Sequence, residues 1–458
     1  MSMLSNGLSG ALAAQSALNI ISQNVANSMT PGYSRQGVLL NAQPTQIGGL
    51  GGGVKVSSLL RFADSYKNLQ LWQAASNQGQ YQVAQNYLGQ LQQVMSDDSA
   101  NINAGMDQFF AALNAASVQP ESGPLREQVI TAADALVKRF DSMQRLFTSQ
   151  QTAISTQRQG IVGQINALTQ DIAALNKQIA VARSSGVTDA DLQDTRDEKI
   201  KGLSALVGVQ VVDTPDGGKS VSLRNGQPLV IGADAATMSG EINQPLTLKF
   251  VNTSFMVAED NLGGQLGGLS DLVNQVLLPQ QQTIKELGTG LGDAINAVLA
   301  GGFSPTGAPG QPLFDTTGGV LKLTNPNLAA ADLAFSSSAT DSGNSDNLAK
   351  LVGLRKSSIT ITTYDSRGQA NGTASVVMGD VYTQLLGKLG VLSGLNDSQQ
   401  KTAQSVLDQV QQSRDSTSAV NRDEEAVNLM QYQQMYSSNM KVVSVANDLF
   451  DATLQMLG

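Results

Sequence analysis

Residues 125–179 read LREQVITAADALVKRFDSMQRLFTSQQTAISTQRQGIVGQINALTQDIAALNKQI, and they contain the longest periodic pattern of the chain. Its apolar residues recur at alternating spacings of four and three, which keeps one face of an α-helix apolar. They are Leu136, Phe140, Met143, Phe147, Ile161, Ile165, Leu168, Ile172, Leu175 and Ile179. A periodic pattern much longer than about 25 residues is typical of coiled-coil-like packing rather than of a compact globule. We therefore predict a rod-like helical element of about 80 Å.

The segment that precedes residue 30 is predicted to form an amphipathic helix. Its apolar stripe repeats every seven residues, with Ser, Asn and Gln on the other side. The stripe comprises Leu4, Leu8, Ala11, Ala14, Leu18, Ile21 and Val25. We expect the helix to end near Asn27, because Pro31 disfavours the α conformation of Thr30 and Pro31-Gly32 favours a turn. A second helical pattern begins near Leu59.

The C-terminal segment has a similar stripe. It comprises Tyr436, Met440, Val443, Ala446, Phe450, Leu454 and Leu457. The simplest packing buries the two terminal stripes against each other and brings both chain ends to one end of an elongated molecule. An ordinary bundle core is the alternative use of these stripes. Their joint position at both termini, together with the long rod, favours packing between subunits.

The region after residue 207 changes from helical to strand periodicity. Short β-branched runs are separated by the turn signals Pro215-Asp216-Gly217-Gly218 and Asn225-Gly226, which predicts a β-meander. Further strands are predicted at residues 245–251, 320–323 and 357–363. The predicted fold is mainly α and elongated, with an inserted β-containing domain, paired terminal helices in a coiled-coil-like end, and a long helical bundle.

This pattern divides the chain into five segments. They are the N-terminal helix and extended segment of a terminal coiled-coil domain (1–57), the first part of a helical rod (58–206), a β-rich domain (207–262), the second part of the rod with further β segments around 320–375 (263–417), and the C-terminal helix of the terminal domain (418–458).

Composition excludes several classes of function. The chain has 458 residues with a net charge of −9, which argues against nucleic-acid binding. It contains neither cysteine nor histidine, so zinc sites of those ligands, thiol nucleophiles and histidine bases are excluded. It has no apolar run long enough for a membrane span and no cleavable secretory leader. Charged residues are only 14%, an unusual surface for a free monomer.

Three charged motifs have both a chemical and a structural interpretation. Gly218-Lys219-Ser220 resembles part of a phosphate loop, but its context predicts a hairpin turn. Asp191, Asp194 and Asp197 recur every three residues, which favours a solvated, salt-bridged helix face over a metal site. Asp423-Glu424-Glu425 is the densest carboxylate cluster, but Asn421 and Glu424 have the spacing of a capping box. We predict no catalytic residue, metal or cofactor.

Two terminal motifs resemble a known family. Asn24-Val-Ala-Asn27-x-x-Thr30-Pro31-Gly32-Tyr33-Ser34-Arg35-Gln36 is similar to the N-terminal signature of bacterial flagellar rod, hook and hook-associated proteins. Residues 423–436, which read DEEAVNLMQYQQMY, closely resemble the C-terminal motif of the hook-associated protein 1 family. Gly51-Gly-Gly-Val54-Lys-Val56, residues 191–197 and residues 263–269 are also similar to that family.

The resemblance implies a structural protein at the junction between the hook and the filament of the flagellum, required for filament assembly. It implies export through the flagellar type III apparatus without a cleaved leader, with help from a chaperone. The subunits would form a helical ring between hook protein and hook-associated protein 3, with the terminal helices as an inner coiled-coil layer. Asn24, Asn27, Thr30, Pro31, Gly32 and Tyr33 would then belong to the assembly interface together with the two stripes.

Other functions stay open at this point. The nearest alternative is another axial component, such as hook protein or hook-associated protein 3. An adhesin, or a wall-degrading hydrolase that uses two of the clustered acids, belongs to a different class.

Overall fold

The two terminal helices lie side by side and run in opposite directions in the computed structural model, which describes residues 2–43, 52–240 and 244–457, with the side chains of Ser2 and Leu457 excepted. They are α1 (Ser2–Ala26) and α10 (Arg422–Leu457). An antiparallel hairpin of β1 (Gln36–Ala42) and β2 (Val54–Arg61) packs on α1. The paired helical end predicted from the sequence is confirmed.

Eight helices form the rod among the described residues. They are α2 (Ser65–Ser96), α3 (Ile102–Ala116), α4 (Gly123–Ser184), α5 (Ala190–Leu206), α6 (Gly264–Asp271), α7 (Leu278–Ala300), α8 (Asp346–Gly353) and α9 (Met378–Ser418). A π-helical segment, Leu272–Leu277, joins α6 to α7. Helix α4 has 62 residues and extends about 90 Å.

The long α4 helix is the rod-like element predicted from residues 125–179. Its predicted seam is buried, except that Leu168 and Leu175 are half-buried. One continuous apolar core follows this seam from α2 and α3 to the β region. At one end, Phe109 meets Phe110 and Phe314 edge to face, with ring centroids 5.6 and 5.9 Å apart.

The β-containing middle consists of small antiparallel sheets. Their strands are β3 (Val209–Asp213), β4 (Lys219–Leu223), β5 (Pro228–Ile231), β6 (Asp234–Ala235), β7 (Thr237–Ser239), β8 (Thr247–Phe250), β9 (Thr253–Met256), β10 (Phe314–Asp315), β11 (Lys322–Leu323), β12 (Ser358–Tyr364) and β13 (Ala370–Val377). Strands β3 to β6 form the predicted meander, with Val209 opposite Leu223. The sequence placed β segments around 320–375 but assigned no strand to β13, which pairs along the whole of β12.

The predicted start of the second helix near Leu59 is wrong. Residues 54–61 form β2, and α2 begins at Ser65. Asp64 caps this helix, because its side chain accepts hydrogen bonds from the backbone N–H groups of Tyr66 (2.9 Å) and Lys67 (3.3 Å).

Candidate assembly site

Helices α1 and α10 approach closely through small side chains. Gly7 lies against Val443, and a Cβ atom at Gly10 would overlap the side chain of Asn439. The buried side chains of α1 are correspondingly small, apart from Ile21 and Asn24. The face of α1 that contains glycine and alanine therefore forms the contact with α10, and the face that contains Leu4, Leu8 and Leu12 does not.

The expectation that the two predicted stripes bury each other is wrong, because much of each stripe faces outward. On α1, Leu4 is 39% exposed, Leu8 50% and Val25 46%. The outward residues of the α10 stripe are Tyr436 (37% exposed), Met440 (41%), Phe450 (62%) and Leu454 (54%). These side chains leave an apolar surface on the outside of the helix pair.

The remaining stripe residues are divided between buried and half-buried positions. Ala11, Ala14 and Ile21 are buried, whereas Leu18, Val443 and Ala446 are half-buried. The side chain of Leu457 lies outside the described residues. The sequence interpretation selected the larger apolar side chains, but close antiparallel packing selects the adjacent face of glycine and alanine.

Asn24 joins three parts of the terminal region. Its Nδ2 donates to the backbone oxygen of Gln36 (2.8 Å) and to Glu425 Oε2 (3.1 Å). Its Oδ1 accepts from the backbone N–H of Gln36 (3.0 Å) and from the Tyr33 hydroxyl (3.0 Å). Asn24 is 1% exposed, and its hydrogen-bonding groups are used within its own chain; its membership of the assembly interface stays a prediction.

Acidic residues of α5 hold the loop that follows α1. Asp194 accepts a hydrogen bond from the backbone N–H of Ser34 (2.8 Å) and pairs with Arg61, whose Nη2 also lies 2.9 Å from Asp197 Oδ2. Asp191 accepts from Gln36 Nε2 (2.8 Å).

The solvated helix face predicted for these three acids is wrong for two of them. Asp194 and Asp197 are buried, because they pair with Arg61 of β2 and Asp194 also accepts from the loop, although Asp197 lies 3.6 Å from Arg196 of its own helix as well. Asp191 is exposed. No group of three acidic side chains among the described residues has the arrangement of a metal site.

The turn between α9 and α10 closes the same region. The backbone N–H of Arg35 donates to the oxygen of Ser418 (2.7 Å), and Arg414 Nη2 donates to the oxygen of Gly32 (2.7 Å). The Arg35 side chain pairs with Glu424 (2.7 Å) and lies 4.3 Å from the centre of the Phe62 ring.

The start of α10 has part of the predicted cap. Asn421 Oδ1 accepts from the backbone N–H of Asp423 (3.0 Å) and, at 3.5 Å, from that of Glu424. The carboxylate of Glu424 is directed to Arg35. The cap and the ion pair together orient the first turn of α10 toward the loop.

The remaining residues of the N-terminal motif shape the loop itself. Asn27 Nδ2 donates to the oxygen of Gln23 (3.0 Å), and the Thr30 hydroxyl donates to Asn27 Oδ1 (3.2 Å). Pro31 is exposed, and Gly32 has a φ of +79°, which favours glycine. A groove of about 440 Å³ separates this loop from α5.

This arrangement raises the pKa values of Tyr33 and Arg61. The pKa of Tyr33 is raised by burial and then by the negative charges of Asp191, Asp194 and Glu425. Burial acts to lower the pKa of Arg61, but Asp197 and Asp194 outweigh it and raise that pKa. The neutral phenol and the charged guanidinium are therefore the favoured forms in the folded chain.

We call the set Asn24, Tyr33, Ser34, Arg35, Gln36, Arg61, Asp191, Asp194, Asp197, Arg414, Glu424 and Glu425 the terminal joint. It connects α1, the β1–β2 hairpin, α5, α9 and α10 through hydrogen bonds and ion pairs. Sequence reasoning missed Arg414 as a member, since no motif contains it. Arg61 lies five residues beyond the Gly51–Val56 motif, which leads into it along β2 but gives it no role; Gly51 lies outside the described residues.

Among the described residues, no helix combines the length and the apolar character needed to cross a bilayer.

Three family models match the chain. They are the flagellar hook-associated protein FlgK helical domain at residues 88–314, the flagellar basal body rod FlgEFG protein C-terminal at 411–456, and the flagella basal body rod protein at 4–33. The last two cover most of the terminal helices, with the end of α9 before α10 and the loop after α1.

Several characterised proteins are similar to the chain over nearly its whole length. Flagellar hook-associated protein 1 of Salmonella typhimurium is 25% identical over 99% of this chain and 100% of its own length. The protein of the same description from Bacillus subtilis is 25% identical over 97% and 96%, respectively. The solved flagellar hook junction protein FlgK of Burkholderia pseudomallei has the same fold, with a TM-score of 0.52 and 24% identity over 67% of this chain and 57% of that one.

The fold and these similarities define a structural axial protein of the bacterial flagellum. The chain belongs to the flagellar hook-associated protein 1 family.

Proposed function

We propose that this chain forms the junction between hook and filament and is required for filament assembly, with no catalytic role. Its copies form a helical ring, with hook protein on one side and hook-associated protein 3 on the other. It reaches this extracellular position by export without a cleaved signal peptide, accompanied by a chaperone. The description of the Burkholderia pseudomallei protein as a flagellar hook junction protein supports the junction role, and that of the Salmonella protein as hook-associated agrees with it.

The outward apolar face of the paired terminal helices carries the proposal. Leu8 and Leu12 are 50% and 55% exposed on α1, and Phe450 and Leu454 are 62% and 54% exposed on α10. Burial of apolar surface is favourable by a free energy of about 25 cal/mol for each Å². Contact between these side chains and neighbouring subunits is therefore favourable.

The terminal joint supports a structural role for the clustered acids. Glu424 pairs with Arg35, and Glu425 accepts from Asn24, so both carboxylates are used in holding α10. We retain the five-segment division at residues 57, 206, 262 and 417 as part of the proposal, with segments 1–57 and 418–458 forming the assembly domain.

The test places charges on the outward face of α1. We expect Leu8→Glu with Leu12→Glu to leave the isolated chain folded, because both side chains are exposed, but to abolish filaments. Electron microscopy of cells that carry only this variant should show hooks without filaments, and flagellin should appear in the medium.

The matched control is Ser405→Glu with Gln409→Glu, which adds the same charges with the same four-residue spacing at exposed polar positions of α9, away from the outward face of the terminal helix pair. It should assemble filaments normally. Normal filaments in the leucine variant would refute the proposed interface.

A further inference from the structure

We infer that the rod bends at a defined level, which we call the flexure level. We use the term helix line for each of α2, α4, α9 and the continuous run of α6, the π-helical segment and α7. The flexure level comprises the parts of these four helix lines that lie side by side. They are α2 near Gly89, α4 at residues 150–163, the π-helical segment with the start of α7 at residues 272–280, and α9 at residues 387–394.

Hydrogen bonds align these four segments. The Tyr87 hydroxyl donates to Gln157 Oε1 (2.7 Å), which joins α2 to α4. Asn396 Nδ2 donates to Gln85 Oε1 (2.8 Å), which joins α9 to α2. Gln151 Nε2 donates to Gln281 Oε1 (3.1 Å), which joins α4 to α7. The helix-weakening features described next therefore occur at one height of the rod.

The first feature is a group of glycines that close packing does not require. In the interiors of the described helices, six glycines have no atom within 4 Å of the position that a Cβ would occupy: Gly89, Gly160, Gly163, Gly387, Gly390 and Gly394. All six belong to the flexure level. Elsewhere in the bundle, Gly79 and Gly268 lie directly against backbone atoms of neighbouring helices. A glycine with open space around it weakens a helix without improving its packing.

The second feature is the interruption of the α6–α7 helix line. Residues Leu272–Leu277 are π-helical, and Pro279 follows in the next turn. Helices bend sharply at glycine, proline and π-helical turns, because the regular backbone hydrogen bonds are disturbed there. Each of the other three helix lines has open glycines at this height, and this line has its own interruption.

The third feature is a pair of buried glutamines. Gln150 is 4% exposed and Gln280 is 5% exposed, and neither side-chain amide has a hydrogen-bond partner among the described residues. Buried amides without partners destabilise the straight rod. Bending that admits water gives these groups partners, which reduces the free-energy difference between the straight and the bent form.

Space for such movement is present on both sides of the π-helical segment. A cavity of about 150 Å³ lies between this segment, α2 and α9, and another of about 240 Å³ lies between it, β12 and α9. Gln275 and Leu392 line both cavities. A subunit that bends here can follow neighbours whose axes are not parallel to its own.

The test measures bending in the isolated full-length chain, so it is independent of the proposed junction role. The chain has no cysteine, and spin labels at Lys138→Cys and Lys177→Cys would be unique. These positions are about 60 Å apart on a straight α4 and lie on opposite sides of the flexure level. We expect double electron–electron resonance to give a broad distance distribution.

The stiffened variant replaces five of the open glycines by alanine: Gly160, Gly163, Gly387, Gly390 and Gly394. We expect a narrower distance distribution and about tenfold slower hydrogen exchange in residues 384–399.

The control variant makes five alanine substitutions on the same two helices outside the flexure level. They are Thr131→Ala, Gln170→Ala, Thr402→Ala, Ser405→Ala and Gln409→Ala, all at exposed positions. It should keep the broad distribution and the original exchange rates in residues 384–399. A distribution in the unsubstituted chain as narrow as in the stiffened variant would overturn the inference, as would an equal effect of the control.

Discussion

At the scale of single residues, the side-chain amide of Asn24 connects the end of α1 to the start of α10. Asn24 uses both its donor hydrogens and accepts twice, and Glu425, one of its partners, is 2% exposed. A buried carboxylate is stable only where hydrogen bonds replace its hydration. The side chain of Asn24 therefore supports the geometry of the loop and the burial of a charge together.

Replacing Asn24 by alanine should loosen the terminal helices. The change leaves Glu425 and the backbone groups of Gln36 without their partners, so we expect a loss of about 3 kcal/mol. Hydrogen exchange of the α1 amides measures this loss as a lower opening free energy. Asn27→Ala serves as the control and should cost less than about 1 kcal/mol, since Asn27 is only half-buried. Equal losses in both variants would show that Asn24 has no special role.

The residues of the terminal joint show where sequence reasoning stops. The motif that contains Asn24 is recognisable, but the bond to Glu425 spans 401 residues. Asp194 and Asp197 have the spacing of an exposed helix face, and only the fold brings Arg61 to them from 133 and 136 residues away. Local spacing predicts local partners, whereas burial of these charges depends on distant ones.

At the element scale, the two faces of α1 have separate uses. The small face permits close contact with α10, and the leucine face remains outside. Helical periodicity predicted the helix itself but could not assign its faces, because both are apolar. The same limit explains the missed β2 strand, where Leu59, Phe62, Tyr66 and Leu69 have helical spacing although residues 54–61 pair with β1.

Two glycines of α2 should respond oppositely to alanine. A Cβ at Gly79 would overlap the backbone oxygen of Ala205 in α5, so we expect Gly79→Ala to lower the free energy of unfolding by about 1–3 kcal/mol. Gly89 has open space, and Gly89→Ala should raise it by about 0.5–1 kcal/mol. Urea denaturation of the two variants measures both effects. A higher free energy of unfolding for Gly79→Ala would contradict the close approach of α2 and α5, and a lower one for Gly89→Ala would contradict the open space at Gly89.

The stability of the whole molecule should decline in alkali. Burial raises the pKa of Tyr33 and of Tyr382, whose hydroxyl donates to the oxygen of Met95 (2.7 Å). Above the ordinary tyrosine pKa of 10.0, the unfolded chain loses protons that the folded chain keeps, so the stabilising contribution present below that pH is progressively lost.

Comparison with Tyr382→Phe isolates this contribution. Between roughly pH 9 and roughly pH 11, the unsubstituted chain should lose about 1.4 kcal/mol more free energy of unfolding than the variant, as measured by urea denaturation. Identical pH dependences would mean that the Tyr382 phenol titrates alike in both states.

The architecture of the whole molecule was largely predictable. The seam of α4, the helical termini and the meander around Pro215–Gly218 each follow from a local period or a turn signal. The contacts between these elements could not be predicted from the sequence, because the pairing of β12 with β13 and the contacts of the terminal joint depend on packing between distant segments.

The 401-residue separation of Asn24 and Glu425 determines when this end of the molecule can be completed. A polypeptide that emerges from a ribosome or a narrow conduit with its N-terminal side first presents Asn24 about 400 residues before Glu425. Chains truncated before residue 425 cannot make this bond. The pairing of the start of α10 with the end of α1 is therefore a late step in the folding of the emerging polypeptide.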